Sequence, residues 1–159
     1  MIDLDPAQLA GEFRRILKPT GNAFIFMSYN LVGRYHAAFD PLFDTFQMMV
    51  WHKTNPIPNF FKAGFLNSCE LLAACWDKGH TWNFKTQKEM HNYFEGPVCM
   101  GRERIKGDDG KVLHPTQKPL HILSHIIEIA SNPGDVVFDP FMGVCSTGAA
   151  CQNLGRGFL

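Results

Sequence analysis

The stretch Asn132-Pro133-Gly134-Asp135-Val136-Val137-Phe138-Asp139-Pro140-Phe141-Met142-Gly143 decides how the chain folds. Asn132-Pro133-Gly134 is a stop and a turn, because proline has no amide to donate and glycine turns without steric cost. Val136-Val137-Phe138 is short and wholly apolar, which predicts a strand buried on both faces. Asp139 stands at the carboxyl end of that strand, where open α/β sheets bind their ligands. Gly143 allows backbone to approach a ligand closely. The small residues after it predict a helix to about Leu154, with free amide donors in its first turn and Gly155 as C-cap. This strand–loop–helix is either a nucleotide-type site or a plain glycine turn, and pattern alone admits both. It is not the phosphate-binding GxxxxGK[ST] loop, since no lysine follows Gly148.

Working outward, Pro119 suits a helix start, and Leu120, Leu123, Ile126, Ile127 and Ala130 make one apolar face. His121 and His125 sit four apart on this helix, but Ile122 stands where the zinc-protease pattern needs Glu, so solvated or capping roles are the plainer reading. At the other end of the chain, Asp5 is a good N-cap for a helix over 5–17. Pro6 occupies its first turn, and Leu9, Phe13, Ile16 and Leu17 share a face. Ala23-Phe24-Ile25-Phe26-Met27 reads as a strand buried on both faces, Asn30 to Phe39 as a helix, and 45–51 and 68–76 as further strands. The prolines of His52-Lys53-Thr54-Asn55-Pro56-Ile57-Pro58-Asn59 exclude helix there. Residues 77–113 are irregular and polar, with a turn at Gly107-Asp108-Asp109-Gly110. Strands alternating with helices make the chain an α/β protein.

Composition bounds the function. At 159 residues the chain is one domain in length, with 45% hydrophobic and 19% charged residues. Lys plus Arg and Asp plus Glu are 15 each, so bulk charge does not make it a nucleic-acid binder, and any such role needs a local patch. No apolar run reaches a membrane span. The start, Met1-Ile2-Asp3-Leu4-Asp5, lacks a basic leader region. The five cysteines form no CxxC pair, which predicts reduced thiols and a cytoplasmic location. Trp51, Phe60, Phe61 and Phe65 interleave with Lys53, Asn55, Asn59 and Lys62, a texture that stacks on bases and neutralises phosphate, or else an ordinary core strand and loop. Arg102, Arg104, Lys106 and Lys111 mix with Glu103, Asp108 and Asp109, which is usual for a solvated surface.

Read together, His114-Pro115-Thr116-Gln117-Lys118-Pro119 and the 132–143 stretch resemble the β-class of S-adenosylmethionine-dependent DNA amino-methyltransferases, which act on adenine N6 or cytosine N4. Arg15-Ile16-Leu17-Lys18-Pro19-Thr20-Gly21, Trp51-His52-Lys53-Thr54-Asn55-Pro56 and Asn67-Ser68-Cys69-Glu70 resemble further blocks of that family, in its order. The resemblance implies a Rossmann-like methyltransferase fold over 1–159, circularly permuted and incomplete, with a mostly parallel sheet, flanking helices and 77–113 as a target-recognition-like insertion. It implies S-adenosyl-L-methionine as cofactor. Asp139, Pro140, Phe141 and Gly143 would line its methionine end, and Thr116, Gln117, Lys118 and Pro119 form the cofactor segment before the helix. Double-stranded DNA is the implied partner, with Trp51, Lys53, Asn55 and Lys62 near the target base and Arg102 and Arg104 on phosphate. Base extrusion is the implied step, as for methyltransferases in general.

The chain departs from the family's pattern in three ways. Cys145 replaces a glycine of the loop, which makes a positive φ costlier there. No Asp-Pro-Pro-Tyr precedes Leu17, so no catalytic residue is assigned and the chain alone is expected not to methylate DNA. No acidic residue follows Leu159 for the cofactor ribose, so residual cofactor binding is expected to be weak. The chain therefore reads as a fragment of a methyltransferase, with a non-catalytic binding module and one half of a split enzyme as alternatives. In that family's sheet the 136–139 strand would lack both neighbours here. The expected outcomes are direct pairing with 22–27, which loop cost favours, a second polypeptide supplying strands, or a poorly anchored segment.

Overall fold

A computed structural model describes residues 4–113 and 116–159, with Arg102 described by its backbone only. Met1-Ile2-Asp3 and the His114-Pro115 pair of the cofactor-segment motif lie outside the described residues.

Helix α1 (Pro6–Ile16) begins as its sequence dictates: the Asp5 Oδ1 accepts the Ala7 amide at 3.2 Å, and Pro6 takes the first turn. Ala10 is fully buried, with Leu9, Phe13 and Leu17 beside it, whereas Ile16 points outward at 43% exposure. Strand β1 (Asn22–Met27) follows, then a 3₁₀ turn over Tyr29–Leu31 and helix α2 (Val32–Phe39). Strands β2 (Thr45–Lys53), β3 (Cys69–Trp76) and β4 (Tyr93–Gly96) complete a four-stranded sheet in the order β1-β3-β2-β4. β3 runs antiparallel to both neighbours and β4 parallel to β2, so β1, β2 and β4 share one direction.

Helices cover this sheet on both faces. Ala73 and Cys75 of β3 face a core with Ile25, Phe39 and Phe43 under α1 and α2. Leu72 and Ala74 face Met49, Trp51, Ile122 and Ile126 under helix α3 (Leu120–Ala130). A strand buried on both faces needs no alternation, which is why Leu71 to Cys75 is a continuous apolar run. β1 is less extreme: Ala23, Ile25 and Met27 are buried while Phe24 and Phe26 are partly open.

The third part is a separate two-stranded parallel ladder of β5 (Val136–Val137) and β6 (Gly157–Phe158), joined by helix α4 (Ser146–Leu154). Leu123 and Ile127 of α3 pack with Ala150 and Cys151 of α4, over Val137 and Phe158. This corrects the expected pairing of 136–139 with 22–27. Arg156 to Leu159 is itself the partner, with the Leu159 amide donating to Val137 O at 3.0 Å and Asp139 N donating to Leu159 O at 3.0 Å. The 157–158 strand lies one helical crossover from β5, so pairing there closes a shorter loop than pairing with 22–27 would. The other edge of β5 pairs with no described strand, and Val136 and Phe138 are 55% and 51% exposed, so β5 is not buried on both faces as expected. Phe26 of β1 and Val137 of β5 pack against the same α3 cluster, and the edges of the two strands are unpaired between them. β4 lay unforeseen within 77–113. Tyr93-Phe94-Glu95-Gly96 is too short for an alternating pattern, and its place is set by tertiary pairing with Val50–Lys53 and by the Asn92 side chain, which donates to Met48 O at 3.0 Å.

Candidate functional site

Strand β5 delivers Asp139 to the start of a loop that its carboxylate organises. Oδ1 accepts the Phe141 amide at 2.9 Å, and Oδ2 accepts the Thr147 hydroxyl at 2.6 Å. Asp139 therefore ties the loop to the first turn of α4. Gly143 has φ 54° and Cys145, the N-cap of α4, has φ 62°, so two positions of this loop are left-handed. The second is the position where cysteine stands for the family's glycine, and a β-carbon there costs roughly 1–2 kcal/mol. Pro140, Phe141 and Gly143 are exposed. No side chain caps α4, and the Ser146 hydroxyl at its start is buried without a hydrogen-bond partner. An orphaned buried hydroxyl beside exposed loop backbone is the feature a bound polar ligand would resolve.

Apart from this loop, a cavity of about 340 Å³ lies at the carboxyl ends of β1 and β2. Phe26, Tyr29, Lys53, Glu70, Thr116 and Lys118 are among its lining residues. Thr116 and Lys118, expected on the cofactor, thus come together with Lys53, expected near DNA. Glu70 joins them: Oε2 lies 3.2 Å from Lys53 Nζ, and Oε1 accepts a hydrogen bond from Lys118 Nζ. The loop 139–143 does not line this cavity. Gln117 turns away from it, accepting the Ile105 amide at 3.1 Å and donating to Glu103 O at 3.0 Å, so it pins the 103–105 turn. Pro119 is buried as the N-cap of α3.

Of the residues expected near the target base, Trp51 is a core residue. It is 2% exposed and its Nε1 donates to Gly96 O at 3.0 Å, which leaves no ring face for a base. Asn55 is engaged with the 98–100 segment, accepting the Val98 amide at 2.7 Å. Lys62 is exposed on the β2–β3 connector at φ 51°. Beside it Phe60, Phe61 and Phe65 are 81%, 92% and 104% exposed, so the aromatic surface lies there and not at Trp51. Arg102 sits in a 3₁₀ turn over Gly101–Glu103, and Arg104 Nε donates to Cys99 O at 3.1 Å. Glu70 went unassigned in the sequence reading. A lone acid inside an apolar strand was its signal, since such a group needs a partner when buried.

A sheet flanked by helices, with a strand-end aspartate turning into a glycine loop and a helix, makes this a Rossmann-like α/β domain, although β3 runs antiparallel to both neighbours, so the four-stranded sheet is mixed and not mostly parallel as expected. Residues 7–159 match the DNA methylase family, and the chain belongs to that family. It is 37% identical over 158 residues to the type II methyltransferase M.HinfI of Haemophilus influenzae, covering 93% of this chain and 44% of that protein. It is 34% identical over 152 residues to the type II methyltransferase M2.DpnII of Streptococcus pneumoniae, covering 92% and 57%. The chain thus spans about half the length of these curated relatives. Among solved structures, the M1.HpyAVI–SAM complex superposes with a TM-score of 0.74 at 28% identity, over 96% of this chain and 72% of that one.

Proposed function

We propose that this chain is part of a DNA amino-methyltransferase of the adenine-N6 or cytosine-N4 kind, with S-adenosyl-L-methionine as cofactor and double-stranded DNA as substrate in a cytoplasmic setting. The observation that carries this reading is the Asp139 loop, with its buried, unpartnered Ser146 hydroxyl, in a chain that matches the DNA methylase family over 7–159. The residues present fit a polar nucleoside ligand. Asp139 holds the loop open through Phe141 and Thr147, Gly143 leaves backbone exposed, and Ser146 offers a hydroxyl. When bound, the cofactor supplies a methyl group on a sulfonium. Thr116 and Lys118 line the separate cavity at the carboxyl ends of β1 and β2.

Lys53, Asn55, Lys62, Arg102 and Arg104 remain the proposed DNA-contacting set, with the exposed Phe60, Phe61 and Phe65 in place of Trp51 as the stacking surface. Base stacking on such rings contributes about 1–3 kcal/mol per base. The sequence contains no Asp-Pro-Pro-Tyr to position the amine, and the facing edges of β1 and β5 are unpaired among the described residues. We place the amine-positioning carboxylate on a further strand between those edges, carried by additional chain or a second polypeptide.

Calorimetric titration with S-adenosylhomocysteine tests the reading. Weak binding is expected, falling by about tenfold or more in Asp139→Ala. Unchanged affinity in that variant would remove the loop from the site. Tritiated methyl transfer to mixed duplex DNA by the chain alone, at an enzyme's rate, would refute the placement of the carboxylate elsewhere.

A further inference from the structure

Cys69, His52 and Glu95 stand abreast on the adjacent strands β3, β2 and β4. His52 is in register with Cys69 on one side and with Glu95 on the other, so all three project from one face of the sheet. The Lys53 amide donates to Ser68 O at 2.7 Å, which makes that pair hydrogen-bonded. The next pair, His52 with Cys69, is therefore of the non-hydrogen-bonded kind, whose side chains lie closer together. On the other side His52 Nδ1 lies 3.1 Å from Glu95 Oε1. An ionised carboxylate only accepts, so in the neutral ring Nδ1 carries the proton and Nε2 presents its lone pair. The two nitrogens lie on opposite edges of the ring, so Nδ1 turned to β4 sets Nε2 on the β3 side, where Cys69 stands. Tyr93 stacks on the imidazole at 6.4 Å between centroids. Burial first, then the charges of Glu95 and Cys69, hold the Tyr93 hydroxyl pKa above the usual 10, so the imidazole and not the phenol is the base here. Cys69 is exposed, and it lines the cavity at the carboxyl ends of β1 and β2.

Independently of the methyltransferase reading, we propose that Cys69, His52 and Glu95 form a thiol-exchange site that takes small disulfides. The three supply a nucleophile, a base on its side and a carboxylate that orients the base. His52 Nε2 takes the thiol proton, and the Cys69 sulfur attacks one sulfur of the disulfide. The S–S bond of the disulfide breaks as the new Cys69–S–S–R bond forms, and the leaving thiolate takes the proton back from His52. Cys69–SH and RS–SR thus give Cys69–S–SR and RSH, with the disulfide itself as oxidant. The added group lies against the cavity that Lys53, Glu70 and Lys118 also line, so exchange obstructs that cavity and a free thiol reopens it.

The probe is hydroxyethyl disulfide, whose lack of charge keeps the nearby lysines from biasing the rate. Adduct formation on the purified chain is followed and assigned by peptide mass spectrometry. An ordinary thiol is only a few per cent ionised near about pH 7, so there the native chain is expected to modify Cys69 at least about tenfold faster than the urea-unfolded chain does. His52→Ala is expected to lose that acceleration and to regain part of it when imidazole is added, a rescue that a merely structural histidine would not show. Glu95→Gln is expected to slow the reaction and to turn the His52 ring nitrogen NMR spectrum from the Nδ1–H tautomer to a mixture of both. Side-chain exposures of 37% for His52 and 58% for Glu95 mean that neither substitution empties the core, and either variant carries the test if the other does not fold. A native rate equal to that of the unfolded chain, an absence of imidazole rescue, or an unchanged rate in Glu95→Gln would overturn the inference.

Discussion

Cys145 sits at φ 62°, ψ 33°, a conformation glycine adopts without a steric penalty. Replacing it with glycine removes that strain and returns some chain entropy to the unfolded state. The net expectation for Cys145→Gly is a gain of about 0.5–1 kcal/mol, measured by urea denaturation. The other thiols differ by environment. Burial pushes the Cys75 thiol up to about 12 and that of Cys99 up to about 11, and raises Cys151 as well. Cys69 is exposed. Alkylation of the native chain followed by mass spectrometry should label Cys69 first and spare Cys75, Cys99 and Cys151 until the chain unfolds. The sequence conveyed the cost at Cys145, because a motif position that favours glycine predicts its own backbone. It could not convey that Trp51 is buried, since an aromatic next to lysines looks the same whether it faces a base or a core.

Helix α3 carries the clearest pH response among the elements. His125 lies between Phe94 and the Glu89 carbonyl, which its Nε2 contacts at 3.1 Å. Burial, and after it the Lys85 ammonium, hold its pKa below the usual 6.5, against weaker opposing pulls from the Glu89 carbonyl and the Glu128 and Glu89 carboxylates. As pH falls, the unfolded chain takes up this proton before the folded chain does. Stability is therefore full above 6.5 and declines as pH drops through 6.5 toward the lower folded value. Thermal unfolding between about pH 8 and about pH 5 should show a shallower decline in His125→Gln than in the wild type. The helices and long strands were readable because caps, prolines and a repeating apolar face are local signals. β4 and β6 were not. Tyr93–Gly96 and Gly157–Phe158 are strands only because β2 and β5 offer them an edge, and a sequence read outward from each residue does not contain that neighbour.

The described residues are built around three core clusters. The four-stranded sheet is roofed by α1 and α2 on one side and by α3 on the other, while α3 and α4 close over β5 and β6. No helix among the described residues is long and apolar enough to cross a membrane. The two-stranded part has consequences for how the chain breathes. A ladder of two short strands is marginal by itself, and this one is held by bonds such as Gly157 N to Asp135 O at 2.8 Å and Asp139 N to Leu159 O at 3.0 Å. β3, by contrast, is paired on both edges. Hydrogen–deuterium exchange should therefore label the amides of Asp139, Gly157 and Leu159 long before those of Leu72 to Cys75. Comparable protection in the two sets would contradict this division. The aspartate that shapes the glycine loop thus hangs on a ladder expected to open more often than β3. Any ligand that seats there must first catch it closed, so its arrival is recorded as slowed deuterium uptake at three named amides, even where no chemistry follows.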